Sequence, residues 1–269
     1  DDKKLPKDRL LGSKPAWQRF LIMFFGAGNN FILALIVLFL LGLFCGSPSV
    51  DNKVYDIIKD SPMEIAGMKK GDEIIKIDGQ TVKTLDDMQL YLTLSEGETA
   101  FTVLRDGKKI DFEVKPYEGK ELEEKGYSFG IKFNTKREKG FVKAVKYAFV
   151  KFYALTRQMA ITFKLLFTGG VSVKNLSGPV GIYSVVGEAK STGFANIIYL
   201  LALLSLNVGF VNLIPFPAFD GGRILFLLIE KIKGSPVKSE TENLIHTIGF
   251  FLLIGLIIFV TINDILRLF

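Results

Sequence analysis

The stretch NLIPFPAFDGG, residues 212–222, joins groups that could do chemistry to groups that stop a helix. Asp220 follows an uncharged run that extends from Phe194 to Phe219. A carboxylate near a bilayer core is costly, and such residues usually face a cavity, a partner or an ion. Pro215 and Pro217 remove two backbone donors and break a helix. Irregular backbone at membrane depth is tolerated only where protein or water surrounds it. Residues 212–222 are therefore expected to line a polar cavity. Asp220 either faces that cavity or caps the helix GGRILFLLIE that follows. The single histidine, His246, opens the last apolar stretch and reads as an interfacial polar residue rather than a ligand. The single cysteine, Cys45, permits no internal disulfide and no cysteine-only metal site.

Such a site needs elements to position it. Hydrophobic residues make up 49% of the 269 residues, and they are blocked rather than scattered. Leu21 to Phe44 carries no charge; as a helix it would rise about 36 Å, against about 30 Å of hydrocarbon. Phe194 to Phe219 is the second such run, and Leu244 to Ile262, with only His246, is the third. Three spans are predicted. The first is no signal peptide, being too long and without a small-residue cleavage site. Basic residues gather at Lys3, Lys4, Lys7, Arg9, Lys14 and Arg19, and again at Arg223, Lys231, Lys233 and Lys238. Short basic flanks tend to stay cytoplasmic, and three spans put both groups on one side. Residues 46–193 would then lie outside. The net charge of +6 reads as topology, with no organised nucleic-acid surface.

Residues 50 to about 133 have a different texture. KKIDFEVK puts Ile110, Phe112 and Val114 on one strand face, and the Asp-Gly turn before it joins it to TAFTVL. VYDII, DEIIKIDG and YSFGIKF supply further strands. TLDDMQLYLTL reads as a helix with Thr84 as N-cap and Asp87 three residues on. Beyond this, Lys143, Lys146, Lys151, Arg157 and Lys164 fall within an arc of roughly 140° on a helix over 141–166. Phe141, Val145, Phe152, Met159 and Phe163 cluster opposite. That pattern predicts a helix on a membrane surface with its basic side toward headgroups and water; a helix packed on the small domain is the other reading. LFTGGVSVKNLSGPVGIY, from Leu166, reads as an irregular connector.

Two families are resembled. SPMEIAGMKKGDEIIKIDG, with Ser61, Pro62, Ala66, Gly67, Gly71 and Asp72, resembles the bacterial PDZ signature. A PDZ fold offers an open sheet edge to an extended peptide, so a peptide at its groove and simple steric gating are both open. SLNVGFVNLIPFPAFDGGRILF resembles the Asn-x-x-Pro-x-Pro-x-x-Asp-Gly segment of site-2 proteases, the intramembrane zinc metalloproteases. GAGNNFILAL resembles their Gly-Pro-x-x-Asn-Phe segment, with Ala27 in place of proline. LSGPVGIY and a single PDZ insertion match the bacterial RseP-type branch. The resemblance implies Zn as cofactor and Asp220 as a metal ligand. It implies that Asn212, Pro215, Pro217 and Asn30 position substrate. Single-pass membrane proteins, such as anti-sigma factors or signal-peptide remnants, would be cleaved in the bilayer of a bacterial inner or plasma membrane.

One departure stands out. The family's His-Glu-x-x-His helix, which holds two zinc ligands and a general base, has no counterpart here. The expectation is a chain truncated at its N-terminus, inactive alone, with no catalytic base of its own. The alternative is a non-catalytic membrane PDZ adaptor on a protease-like scaffold. The fold expected is an α-helical polytopic membrane protein of three spans with an inserted α+β PDZ domain. Its parts are a basic segment (1–19), a span (20–45), the PDZ domain (46–134), a surface helix with connector (135–193), a span ending in the Asp-Gly segment (194–222), a loop (223–243) and a last span (244–269).

Overall fold

The computed structural model describes residues 14–267 other than 96, 135, 171–176 and 236. Most of the basic segment, 1–13, and part of the connector, 171–176, lie outside the described residues. The helices are α1 (Ala16–Cys45), α2 (Pro62–Ile65), α3 (Leu85–Leu94), α4 (Gly119–Lys125), α5 (Phe141–Thr168), α6 (Pro179–Ser191), α7 (Phe194–Leu213), α8 (Asp220–Lys233) and α9 (Ser239–Leu266). The strands are β1 (Ser47–Pro48), β2 (Asp56–Ile57), β3 (Glu73–Ile77), β4 (Gln80–Thr81), β5 (Thr99–Arg105), β6 (Lys108–Val114), β7 (Ile131–Lys132) and β8 (Arg137–Glu138). They form two compact units, Leu38–Gln158 and Asp1–Val37 with Met159–Phe269.

The Leu38–Gln158 unit is built on an antiparallel sheet of order β4-β3-β5-β6. Ile74 and Ile77 are both fully buried, which strict alternation would forbid at that spacing. A register shift between Ile74 and Lys76 against β5 allows it. Phe101 and Phe129 meet edge to face with ring centroids 5.5 Å apart in the same core. On α3 the capping box is complete: Thr84 Oγ1 accepts from the Asp87 N–H at 3.2 Å, and Asp87 Oδ2 accepts from the Thr84 N–H at 3.1 Å.

The Ser-Pro…Gly-Asp signature acts here as a set of staples. Ser61 is the N-cap of α2, and Pro62 sits in its first turn. Gly67 and Gly71 take φ of +89° and +91°, which side chains rarely adopt. Asp72 is buried and takes both arms of Arg105, at 2.7 and 2.6 Å, and the Lys69 N–H at 2.8 Å. Burial alone would raise the Asp72 carboxyl; the Arg105 hydrogen bonds, the Lys69 amide and their charges outweigh it and hold it below the usual carboxylate range.

Two of the five basic residues on α5 sit differently from expectation. Lys151 pairs with Asp86 and Arg157 with Asp87, and Arg157 also donates to the Thr81 carbonyl at 2.8 Å. Their side chains are only 17% and 22% exposed, so this part of the basic side is docked on protein, not turned to headgroups and water. The reason lies in α3, whose first turn buries two carboxylates that need cations. Ala144, Ala148 and Ala154 are buried along α5 and permit close approach. Lys143 and Lys146 make exposed pairs with Glu138 and Asp51.

In the other unit, α1, α7 and the stretch of α9 from Glu240 to Leu266 are long and apolar enough to cross a membrane. The middle one stops at Leu213, earlier than the span drawn to 222. Pro215 forces the residue before it out of helix, and Ile214 is extended with ψ of 135°. A Cβ at Gly209 on α7 would lie 3.1 Å from the Ala27 carbonyl of α1, so small residues set this contact. The connector is corrected at its far end, where Pro179–Ser191 is helical. Gly178 is the N-cap and Pro179 opens the helix, a start signal obscured by the surrounding glycines. Buried Asp264 on α9 accepts the Gly181 N–H at 2.8 Å, and a Cβ at Gly178 would meet the same carboxylate at 2.9 Å. That places a carboxyl group at the N-terminal end of α6.

Two predictions follow from the smaller unit. The contribution of Asp72 is fully present above the unfolded carboxylate pKa of about 3.9 and is lost as pH falls through its lowered folded value. Asp72→Asn should therefore weaken the unit at neutral pH and flatten its loss of stability on acidification, measured by hydrogen exchange across β3 and β5. Lys151→Glu should cost more than the roughly 0–1 kcal/mol of an exposed pair. Adding Asp86→Lys should recover part of that loss in urea midpoints.

Candidate functional site

Asp220 is the first residue of α8, with Phe219 as N-cap. It is half-buried, and no hydrogen bond from a described residue reaches its carboxylate. Its neighbour is Gly26 on α1: a Cβ there would stand 2.7 Å from Asp220 Oδ2. Gly26 thus makes room for the carboxylate, a requirement that spacing alone did not single out.

Asn30 lies one turn from Gly26, on the same face of α1. Its amide donates to the Gly26 carbonyl at 3.3 Å, and its own carbonyl accepts from Ser205 Oγ of α7 at 3.0 Å. Ser205 is buried and ties α7 to α1 beside the site. Asn212 is half-buried in the last turn of α7. Pro215 is exposed, while Pro217 lies against Gly249 of α9, where any Cβ would collide with the proline ring and carbonyl. Gly221 and Gly222 are buried because α8 starts directly beneath the loop. A Cβ at 222 would sit 2.5 Å from the Phe216 carbonyl oxygen, and one at 221 would strike the Leu213 and Ile214 carbonyls.

The loop's backbone donors find acceptors, beginning with the Ile214 N–H on the Val211 carbonyl at 3.1 Å. Phe216 N–H donates to the Ile214 carbonyl at 2.7 Å, and Phe219 N–H to the Phe216 carbonyl at 3.2 Å. The prolines have none. Ala218 has φ of +88° and donates to His246 Nδ1 at 3.1 Å. His246 is therefore part of the loop's support rather than an isolated interfacial residue. The sequence signal for this was faint: one histidine, 28 residues away.

Zinc fits these residues only in part. Asp220 offers a carboxylate oxygen, but among the described residues no three His, Cys, Asp or Glu side chains stand close enough to hold a metal. A catalytic zinc takes three protein ligands, and the described residues do not make up such a set.

In the Leu38–Gln158 unit, the Ser61–Asp72 signature residues hold the fold. A separate open cleft of about 620 Å³ is lined by Leu92 and Ser95 from the end of α3 with Tyr117, Ser128 and Phe129.

Comparison with known proteins places the sequence in a family. Zinc metalloprotease RasP of Oceanobacillus iheyensis is 37% identical over 269 residues, covering 98% of this chain and 63% of that protein. Regulator of sigma-W protease RasP of Bacillus subtilis is 38% identical over 266 residues, with 98% and 63% covered. The chain spans 63% of the length of these relatives. The family model of peptidase family M50 matches residues 2–256. With that match and three helices fit to cross a bilayer, the chain belongs to peptidase family M50 and is a multi-pass membrane protein.

Proposed function

We propose that this chain forms the aspartate-bearing part of an intramembrane zinc metalloendopeptidase that cleaves single-pass membrane proteins. The observation that carries the proposal is the break between α7 and α8, which sets Asp220 against the Gly26 gap on α1. Asp220 is one zinc ligand. Zinc held there would supply a Lewis acid for the scissile carbonyl and an activated water. The chain's own residues do the positioning. The non-helical stretch 214–219 marks where an unwound substrate segment would be held, since a transmembrane helix must open before its peptide bonds can be attacked. Asn30 and Asn212 flank that segment. The name of the Bacillus subtilis relative supports anti-sigma factors as one substrate class; signal-peptide remnants are another.

The smaller unit is a PDZ domain on the outer side of the membrane. Its cleft, walled by Leu92, Tyr117 and Phe129, is open and partly apolar, which supports peptide contact over shielding alone.

A second reading, a non-catalytic membrane adaptor, draws on the single histidine and the lack of a three-ligand group among the described residues. Zinc content separates the two. In the full-length polypeptide, Asp220→Ala should lower zinc retention and reduce substrate cleavage by about 100-fold or more. Unchanged zinc and cleavage would remove Asp220 from the site, and a full-length protein with no zinc would favour the adaptor. Leu92→Lys should weaken uptake of apolar C-terminal peptides while leaving the unit's urea midpoint within about 0.5 kcal/mol. Unaltered uptake would point to shielding instead.

A further inference from the structure

We infer that His246, with Gly249 three residues further along α9, is a positioning residue that fixes the direction in which Asp220 points. The inference rests on the reading of Asp220 as a zinc ligand. Ala218 stands two residues before Asp220, and its φ of +88° is costly for a residue with a Cβ. Strain of that kind persists only where the surroundings over-determine it. The loop's own carbonyls take the Phe216 and Phe219 amides, and α8 takes up the chain from Asp220. The Ala218 amide is satisfied from outside, by His246 Nδ1 at 3.1 Å. Accepting that bond leaves the ring proton on Nε2, which faces Glu242 at 3.9 Å. The imidazole is held by Phe226 of α8, with ring centroids 5.6 Å apart.

Gly249 supplies the second point of support. Pro217 fills the space that a side chain at 249 would take. Consecutive residues 217 and 218 are thus gripped by one face of α9, just before the chain turns into α8. On the far side of the carboxylate, Gly26 leaves the gap it enters. The position of Asp220 is set by α9 through the loop and by α1 through the gap. His246 touches neither metal nor substrate. It acts through the backbone.

The test uses the full-length polypeptide in detergent and compares His246→Phe, His246→Asn and Asp220→Ala. Two readouts are taken, hydrogen exchange of peptides spanning 212–222 and zinc retained against a chelator. Asn places an acceptor oxygen near the position of Nδ1; Phe fills the space without one. The Phe variant should exchange faster in 212–222 and hold zinc about 10–100-fold more weakly, while the Asn variant should stay within about threefold of wild type on both readouts. If Phe and Asn variants behave alike, whether both native or both impaired, the acceptor role is wrong. Faster exchange in the Phe variant with unaltered zinc, in a protein whose zinc depends on Asp220, also overturns the inference. If zinc proves independent of Asp220, the proposed function falls, while the exchange data still decide whether His246 holds the loop.

Discussion

A backbone N–H at membrane depth must have an acceptor, because no water is there to replace one. The break between α7 and α8 makes that constraint acute. Two prolines end one helix and delay the next, and the chain between them runs Ile214 to Phe219 without a helical ladder. Two of its amides are satisfied by carbonyls within the loop. That of Ala218 is satisfied by His246, on a third helix. The geometry of the candidate ligand thus depends on a hydrogen bond across 28 residues of sequence. Gly221, Gly222 and Gly249 follow from the same arrangement, since each removes a side chain that would prevent the elements from closing around the loop.

The contacts of this unit share one device. A glycine removes a Cβ so that a polar group or carbonyl can approach closely. Gly26 does this for Asp220, Gly178 for Asp264, and Gly209 for the Ala27 carbonyl. Helices in a bilayer gain little from burying apolar surface against one another, because lipid is equally apolar. Close packing and a few hydrogen bonds, such as Ser205 to the Asn30 carbonyl and Gly181 to Asp264, supply the specificity instead. The Leu38–Gln158 unit obeys the opposite rule. Its core of Ile74, Ile77, Met88, Phe101 and Val103 is buried away from water in the ordinary way. Its charged pairs, Asp72 with Arg105 and Asp86 with Lys151, sit at the margins and tie loops and α5 to that core.

Much was determined by the sequence alone, wherever the information was local. Runs of uncharged residues located the apolar helices, because length and composition suffice to cross a bilayer. Pro215 and Pro217 located the break, because a missing amide acts on its own turn. Thr84 and Asp87 located the start of α3, and Asp106-Gly107 the β5–β6 turn, for the same reason. The Asp-Gly segment and the match to peptidase family M50 both rest on this local grammar. Only the tertiary structure decided which distant groups meet. Helical periodicity drew the basic arc on α5 but could not tell a carboxylate of α3 from a lipid phosphate, since both attract the same cations. The glycines around Pro179 masked a helix whose N-terminus is held by Asp264, a residue 85 positions away. His246 looked like an interfacial residue because an imidazole's neighbours are not written beside it. Its role emerges when α9 passes the loop, and the physical reason is that an unpaired amide takes whatever acceptor the fold brings within reach.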